Sequence, residues 1–232
     1  MNEFYDAIMQ MHGAEEFKNL IKKWDRLSSN ISKIPADLPI LLPDVILEAS
    51  SGSGVTYLLQ KLADYLSEKV NKLAGSGAEI IALTAATMHI VFEEIENNTN
   101  ISLVSIPKTV CNEVIKKGYK KIGLLGTIFT MEQDYMKKDL LQAGIDVIVP
   151  DKADRELVAK RIYEELELGI VKESTLQEFS EIINKMQKMH EIEAIVLGCT
   201  ELPLILNNGN CALPCLDSVA IHIKELIELV QP

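Results

Sequence analysis

Short, almost continuous apolar runs alternate with longer amphipathic stretches from residue 44 to the end of the chain. The runs "AEIIALTA" (78–85) and "IEAIVLG" (192–198) are typical, because apolar side chains occupy successive positions instead of every second one. Strands buried on both faces have this pattern, as in parallel sheets that helices cover. The pattern predicts strands over 44–50, 78–85, 101–106, 121–127, 145–150, 192–198 and 212–217.

The amphipathic stretches between these runs have helical spacing, with Leu58, Leu62, Leu66 and Val70 on one stripe of the first long one. Strands that alternate with helices predict an α/β fold with a mostly parallel sheet flanked by helices. Residues 4–24 also have helical spacing, whereas 28–43 contain three prolines and no clear element. The predicted helices are 55–74, 88–96, 108–119, 131–144, 151–168, 173–190 and 219–230.

Small hydroxyl side chains and one cysteine follow the predicted strands. Parallel α/β sheets bind ligands beyond the carboxyl ends of their strands, and hydroxyls with free N–H groups at helix starts suit a carboxylate. Capping of the next helix uses the same geometry, so both roles are open for the threonines. The residues at these ends are Ser50, Ser51, Thr87, Thr127, Thr130, Cys199 and Thr200.

Charge and cysteine content exclude several classes of protein. The net charge is −11 and no basic stripe is present, so nucleic acid is not an expected partner. No uncharged apolar run reaches the ~18 residues of a membrane span, and residues 1–30 have no apolar signal segment, so we expect a cytoplasmic protein. The four cysteines include no C-x-x-C pair, and "SSGSG" lacks the Lys-Ser/Thr of a nucleotide loop.

Four segments, and their spacing along the chain, resemble the cofactor-independent aspartate/glutamate racemases. They are "GCTELPL", "LGTIFTMEQDYMKKDL", "VIVPDKADRELVAKRIYEEL" and "LDSVAIH". The resemblance covers roughly residues 78–232. It implies two pseudo-symmetric α/β halves, each with a mostly parallel sheet. A faint repeat between "AEIIALTAATM" and "IEAIVLGCTEL" agrees with such halves.

The same resemblance predicts how the chain is divided and assembled. The N-terminal half is expected over 1–105, joined by the closing helix 218–232, and the C-terminal half over 106–217. The resemblance also leads us to expect that the family's opening strand and glycine loop are absent before the first helix. The resemblance also implies a homodimer.

The resemblance implies inversion of a small acidic amino acid or dicarboxylate at its α-carbon, with no pyridoxal phosphate, metal or nucleotide. Cys199 matches the second-half catalytic thiol. Thr200 and Thr87 match the threonines that hold the substrate carboxylate, and Thr127 and Thr130 match the loop that lines the same pocket. A cysteine at the start of a helix gains a lowered pKa, and charge that develops as the proton leaves needs stabilisation by nearby donors.

The first-half motif departs from the family pattern. Ala85 occupies the position of the expected first-half thiol, and the adjacent Thr84 faces the pocket only if the strand ends early. The resemblance also implies that Glu201 orients the site, whereas His89 is either a packing histidine or a proton carrier. Three functions therefore stay open: a racemase, a one-thiol lyase or isomerase of the same fold, and a catalytically impaired relative that binds a small anion or a partner.

Overall fold

The computed structural model describes residues 53–230. The chain divides into two units at Leu62 and Ala63. The description below concerns the second unit, together with residues 53–62 of the helix that begins in the first. The predicted strand 44–50, the helical stretch 4–24, Ser50 and Ser51 lie outside the described residues.

Two parallel sheets form the framework of this unit. In the smaller sheet β1 pairs with β2, and in the larger sheet the order is β4-β3-β5-β6. All of these pairings are parallel, so the prediction of parallel α/β architecture is confirmed. The strands are Ile80–Ala82 (β1), Ser102–Val104 (β2), Lys121–Leu125 (β3), Asp146–Ile148 (β4), Ala194–Leu197 (β5) and Cys215–Asp217 (β6).

Helices connect the strands and flank the sheets. Each described strand lies within a run that the sequence predicts, although the predicted runs extend beyond the paired residues. The α-helices are Ser53–Gly75 (α1), Phe92–Asn97 (α2), Ile106–Lys117 (α3), Ile128–Glu132 (α4), Lys138–Gln142 (α5), Lys152–Glu164 (α6), Glu173–His190 (α7) and Ser218–Val230 (α8). Among the described residues, three 3₁₀ helices cover Ala86–Val91, Leu166–Leu168 and Leu202–Leu204.

The prediction of one continuous helix over 131–144 is wrong, because the structure has α4 and α5 with a turn between them. Gln133 ends α4 in an extended conformation (φ −77°, ψ 161°). The Lys137 ammonium group donates hydrogen bonds to the carbonyls of Met131 at 3.2 Å and Glu132 at 3.1 Å. These bonds satisfy carbonyls that an uninterrupted helix would have paired with backbone N–H groups.

The larger sheet has a hydrophobic cluster on each side. Strand β5 is buried along its whole length, which agrees with its continuous apolar sequence. Gly123 allows the close packing of β3, since a Cβ atom there would lie 2.5 Å from Cδ1 of Ile195. Helix α8 packs against α3.

The predicted division of the chain at residue 105 stays a prediction. None of the helices between residues 53 and 230 is long and apolar enough to cross a membrane.

Candidate active site

A chain of hydroxyl groups lies at the carboxyl end of β3. Thr127 caps α4, with its Oγ1 accepting a hydrogen bond from the N–H of Thr130 at 3.3 Å. Oγ1 of Thr130 lies 3.1 Å from Oγ1 of Thr127 and 2.9 Å from the hydroxyl oxygen of Tyr135. Both threonines are buried. Capping is therefore observed for Thr127, and it holds the hydroxyls of all three residues in one row.

Thr130 also fills the gap between the ends of two neighbouring strands. Gly198 follows β5, and its N–H donates to the carbonyl of Leu125 at 2.8 Å. A Cβ atom on Gly198 would lie 2.9 Å from Cγ2 of Thr130, and one on Gly126 would lie 2.8 Å from the same methyl carbon. Both positions therefore need glycine. This packing places Cys199, the residue after Gly198, beside the hydroxyl row.

Cys199 forms a hydrogen-bonded pair with Glu201. The half-buried thiol donates to Oε2 of Glu201 across 2.8 Å. Burial raises the pKa of the Cys199 thiol, and the charges of Glu201 and Glu167 raise it further, because each disfavours a thiolate nearby. The resting side chain is accordingly a protonated thiol.

The expectation that a helix start lowers the pKa of Cys199 is wrong. No α-helix begins in the turn that follows β5; the next element is the 3₁₀ helix Leu202–Leu204. The three residues of this 3₁₀ helix offer little dipole, whereas burial and a carboxylate in contact act directly on the sulfur.

The other members of the predicted second-half motif lie in the same turn. Thr200 is exposed, between Cys199 and Glu201. Tyr135 and Glu167 also lie near Cys199, and the sequence did not predict them as part of the site. Burial raises the pKa of Tyr135, and the Cys199 thiol adds to this effect. Tyr135 follows Thr130 by five positions in a stretch that reads as regular helix, so only the three-dimensional turn brings its hydroxyl to the site.

The predicted first-half residues flank the start of a 3₁₀ helix. Thr84 and Ala85 are exposed, and Ala85 is extended (φ −93°, ψ 117°) immediately before the 3₁₀ helix Ala86–Val91. Thr87 lies in the first turn of that helix, which contacts α4. The first-half motif is thus brought against the helix that Thr127 caps. Ala85 presents only a methyl group where a second thiol was expected.

His89 has the hydrogen bonds of a packing histidine. Its ring is 5% exposed and stacks on Phe92, with centroids 5.1 Å apart. Nε2 accepts a hydrogen bond from the N–H of Ile106 at 3.0 Å, and Nδ1 lies 3.2 Å from the carbonyl of Ala85 and 3.1 Å from that of Ala86. This pattern assigns the proton to Nδ1. Burial lowers the pKa of His89 to about 4, so the ring is neutral.

The end of β5 is also tied to the beginning of α8. Ser218 is buried and its hydroxyl donates to the carbonyl of Leu197 at 2.7 Å. Oδ1 of Asp217 accepts hydrogen bonds from the N–H groups of Val219 and Ala220 at 2.9 and 3.1 Å. Within residues 53–230, no group of three or more His, Cys, Asp or Glu side chains is arranged to hold a metal ion.

Comparison with known proteins identifies the family and the fold. Residues 43–226 match the family model described as Asp/Glu/Hydantoin racemase. The structure is similar to that of an aspartate racemase homologue from Pyrococcus horikoshii OT3, with 31% identity, a TM-score of 0.70, and coverage of 90% of this chain and 91% of that one. The fold is thus the α/β architecture of these racemase-like structures, and the chain belongs to the Asp/Glu/Hydantoin racemase family.

Characterised relatives are more distant. A glutamate racemase from Histophilus somni (strain 129Pt) is 25% identical over 64% of this chain and 54% of its own length. The broad specificity amino-acid racemase RacX of Bacillus subtilis (strain 168) is 25% identical over 67% of this chain and 66% of its own. The chain therefore spans about half the length of that glutamate racemase.

Proposed function

We propose that this protein is a cofactor-independent amino-acid racemase in which Cys199 transfers a proton at the α-carbon of a small acidic amino acid or dicarboxylate. The observation that carries the proposal is the thiol–carboxylate hydrogen bond of Cys199 and Glu201, located beside the hydroxyl row of Thr127, Thr130 and Tyr135. Relatives named as an aspartate racemase homologue and a glutamate racemase support the substrate class.

The raised pKa of Cys199 defines its first role. A protonated thiol is a proton donor, so Cys199 delivers its proton to one face of the α-carbon while solvent water, which reaches the exposed Ala85 on the opposite side, takes up the original α-proton. In the reverse direction the Cys199 thiolate removes the α-proton and water returns a proton to the opposite face. The Glu201 carboxylate accepts the S–H of Cys199 and thereby disfavours the thiolate. The hydroxyls of Thr87 and Thr200, the accessible threonines of the two motifs, hold the substrate carboxylate, on which negative charge increases as the α-proton leaves.

The opposite face of the substrate has no thiol among the described residues at the expected position. Ala85 stands there, with the hydroxyls of Thr84 and Thr87 as neighbours along the chain. This observation favours a second candidate, a one-thiol lyase or isomerase that protonates one face only. A relative that binds a small anion without turnover is the third. The homodimer and the cytoplasmic location stay predictions of the sequence.

Proton exchange at the α-carbon distinguishes these functions. The protein is incubated with L-aspartate or L-glutamate in heavy water, the α-proton signal is followed by NMR, and the enantiomers are separated by chiral chromatography. Exchange with inversion that disappears in Cys199→Ser supports the racemase. The Cys111→Ala variant, which changes a cysteine buried in α3, is the control and should retain the activity.

The remaining outcomes separate the alternatives. Exchange without inversion points to a one-sided site. Absence of exchange, together with an increase of Tm in the presence of dicarboxylates, indicates binding alone. Exchange that persists unchanged in Cys199→Ser refutes the assignment of Cys199.

A further inference from the structure

Glu201 is a half-buried carboxylate that no basic side chain neutralises within residues 53–230. Glu165 and Glu113, by contrast, are removed from water together with a cation: Glu165 pairs with Arg161 at 2.8 Å, and Glu113 pairs with Lys117 at 3.4 Å. Partial burial of a charge is costly unless a partner compensates for it. The charge of Glu201 is therefore available to a cation that comes from outside the chain.

One of the two carboxylate oxygens of Glu201 is free to bind that cation. Oε2 accepts the S–H of Cys199 across 2.8 Å, whereas Oε1 has no partner in the described part of the chain. Two backbone hydrogen bonds close the turn that carries both residues, from the N–H of Leu202 to the carbonyl of Cys199 at 3.3 Å and from that of Leu204 to Glu201 at 3.1 Å. Leu202 is buried in the hydrophobic cluster below, so the turn has a fixed backbone.

The distance between the sulfur and the carboxylate suits an α-amino acid. A thiol that exchanges a proton with an α-carbon must approach it to about 3–3.5 Å, and the ammonium nitrogen lies about 1.5 Å from that carbon. Because Oε2 of Glu201 lies 2.8 Å from the sulfur of Cys199, an α-carbon at the sulfur can place its ammonium group within hydrogen-bonding distance of the carboxylate. Hydrogen bonds between two charged groups are among the strongest in proteins.

From this geometry we infer that Glu201 binds the α-ammonium group of the substrate, so that the site takes α-amino acids in preference to carboxylates that have no amino group. The inference rests on the proposed function, since it requires that Cys199 meets the α-carbon. With the substrate carboxylate at the exposed Thr200, three consecutive residues contact three parts of one zwitterion. Cys199 contacts the α-carbon, Thr200 the carboxylate and Glu201 the ammonium group.

Binding of the ammonium group also prepares the thiol to act as a base. Burial, and after it the charge of Glu201, raises the pKa of the Cys199 thiol. An ammonium group on the Glu201 carboxylate offsets that charge and competes with the S–H for its oxygens, so the thiolate is less disfavoured in the complex. A dicarboxylate without an amino group brings only further negative charge and has the opposite effect.

Protection of Cys199 from alkylation measures this preference without any need for turnover. Labelling of the Cys199 peptide by iodoacetamide is followed by mass spectrometry with increasing L-aspartate or succinate, and with increasing L-alanine or propionate. The members of each pair differ only in the amino group. In a pair that protects, we expect the amino acid to act at a concentration lower by about tenfold or more. Glu201→Gln should abolish the preference, and Glu201→Asp, which keeps the charge, should retain part of it.

Charged thiol reagents test the electrostatic part of the inference without a substrate. The rates at which Cys199 reacts with the cation aminoethyl methanethiosulfonate and the anion sulfonatoethyl methanethiosulfonate are compared. Glu201→Gln should lower the ratio of the cationic to the anionic rate by about tenfold, because a charge that attracts one reagent and repels the other is removed. A change in the thiolate fraction affects both rates and cancels. The control is Glu113→Gln, which removes a half-buried carboxylate paired with Lys117 and should change neither readout.

Several results would overturn the inference. They are equal protection by the two members of a pair, a preference that survives in Glu201→Gln, a lack of protection by all four compounds, or an unchanged ratio of the two reagent rates in Glu201→Gln. Failure of the proposed function is distinguishable from these results. A preference for amino acids without exchange at the α-carbon supports the role of Glu201 and counts against the racemase, whereas exchange without the preference does the reverse.

Discussion

Acidification should destabilise the fold through His89, whose neutral ring joins the 3₁₀ helix Ala86–Val91 to the beginning of α3. Burial lowers the pKa of His89 to about 4, and the nearby His222 contributes in the same direction. In the unfolded chain the same side chain has its ordinary pKa of about 6.5. Between these two values the unfolded state binds a proton that the folded state does not, so stability is lost as the pH falls through this window.

The size of the loss follows from the two pKa values. At pH 8 both states are neutral and His89 contributes no pH dependence. At pH 5 the free energy of unfolding is about 2 kcal/mol lower than at pH 8 because of His89. Well below pH 4 this reduction reaches its full size of about 3 kcal/mol. The free energy of unfolding of a domain is typically about 5–15 kcal/mol, so such a loss is a substantial part of it.

Urea unfolding, followed by circular dichroism at pH 8, 6.5 and 5, measures this loss. The comparison is with His89→Gln, which retains an amide oxygen to accept from Ile106 but cannot titrate. The variant starts from a lower stability because the ring packing is lost, and we expect its free energy of unfolding to fall by about 2 kcal/mol less than that of the wild type between pH 8 and 5. Carboxylate titrations are common to both proteins and cancel in the comparison.

His190→Gln, which removes an exposed imidazole at the end of α7, serves as the control and should follow the wild type. Parallel curves for the wild type and His89→Gln across this pH range would refute the reasoning. They would mean that the His89 ring is protonated in the folded state or that it is accessible to water.

Two further perturbations address the site itself. Glu201→Gln should lower the pKa of Cys199, because the neighbouring charge is removed; the pH dependence of iodoacetamide labelling of the Cys199 peptide measures this, and an unshifted profile would contradict the role of the carboxylate. Gly198→Ala should cost about 1–3 kcal/mol in urea unfolding, since the new methyl group overlaps with Cγ2 of Thr130. Thr130→Ser should recover part of that loss, and Gly75→Ala, with no atom within 4 Å of its new Cβ, should cost nothing; equal costs at both glycines would show that the packing argument is mistaken.

The described strands could be predicted because parallel strands that are buried on both faces have continuous apolar sequences. The four residues of β5 are buried and apolar, so the run is visible without tertiary information. The break between α4 and α5 is not visible in the sequence, because the helical spacing of apolar residues continues through the turn. It depends on two contacts across the turn: the hydroxyl of Tyr135 reaches Thr130, and the ammonium group of Lys137 reaches the last carbonyls of α4.

The rule for strand ends predicted which candidate residues lie near one another, but not their electrostatics. The structure places Thr127 after β3, Thr130 within α4 and Cys199 after β5. The protonation state of Cys199 depends on burial and on the side-chain rotamer that brings Glu201 within 2.8 Å, neither of which a motif specifies.

The side chain of Thr130 has two roles that a single substitution cannot change separately. The methyl group of Thr130 closes the seam between two strand tips, while its buried hydroxyl joins Thr127 to Tyr135. A mutation that changed the hydroxyl row at this position would therefore also loosen the scaffold. A change at a solvent-facing neighbour such as Thr200 would leave this framework intact.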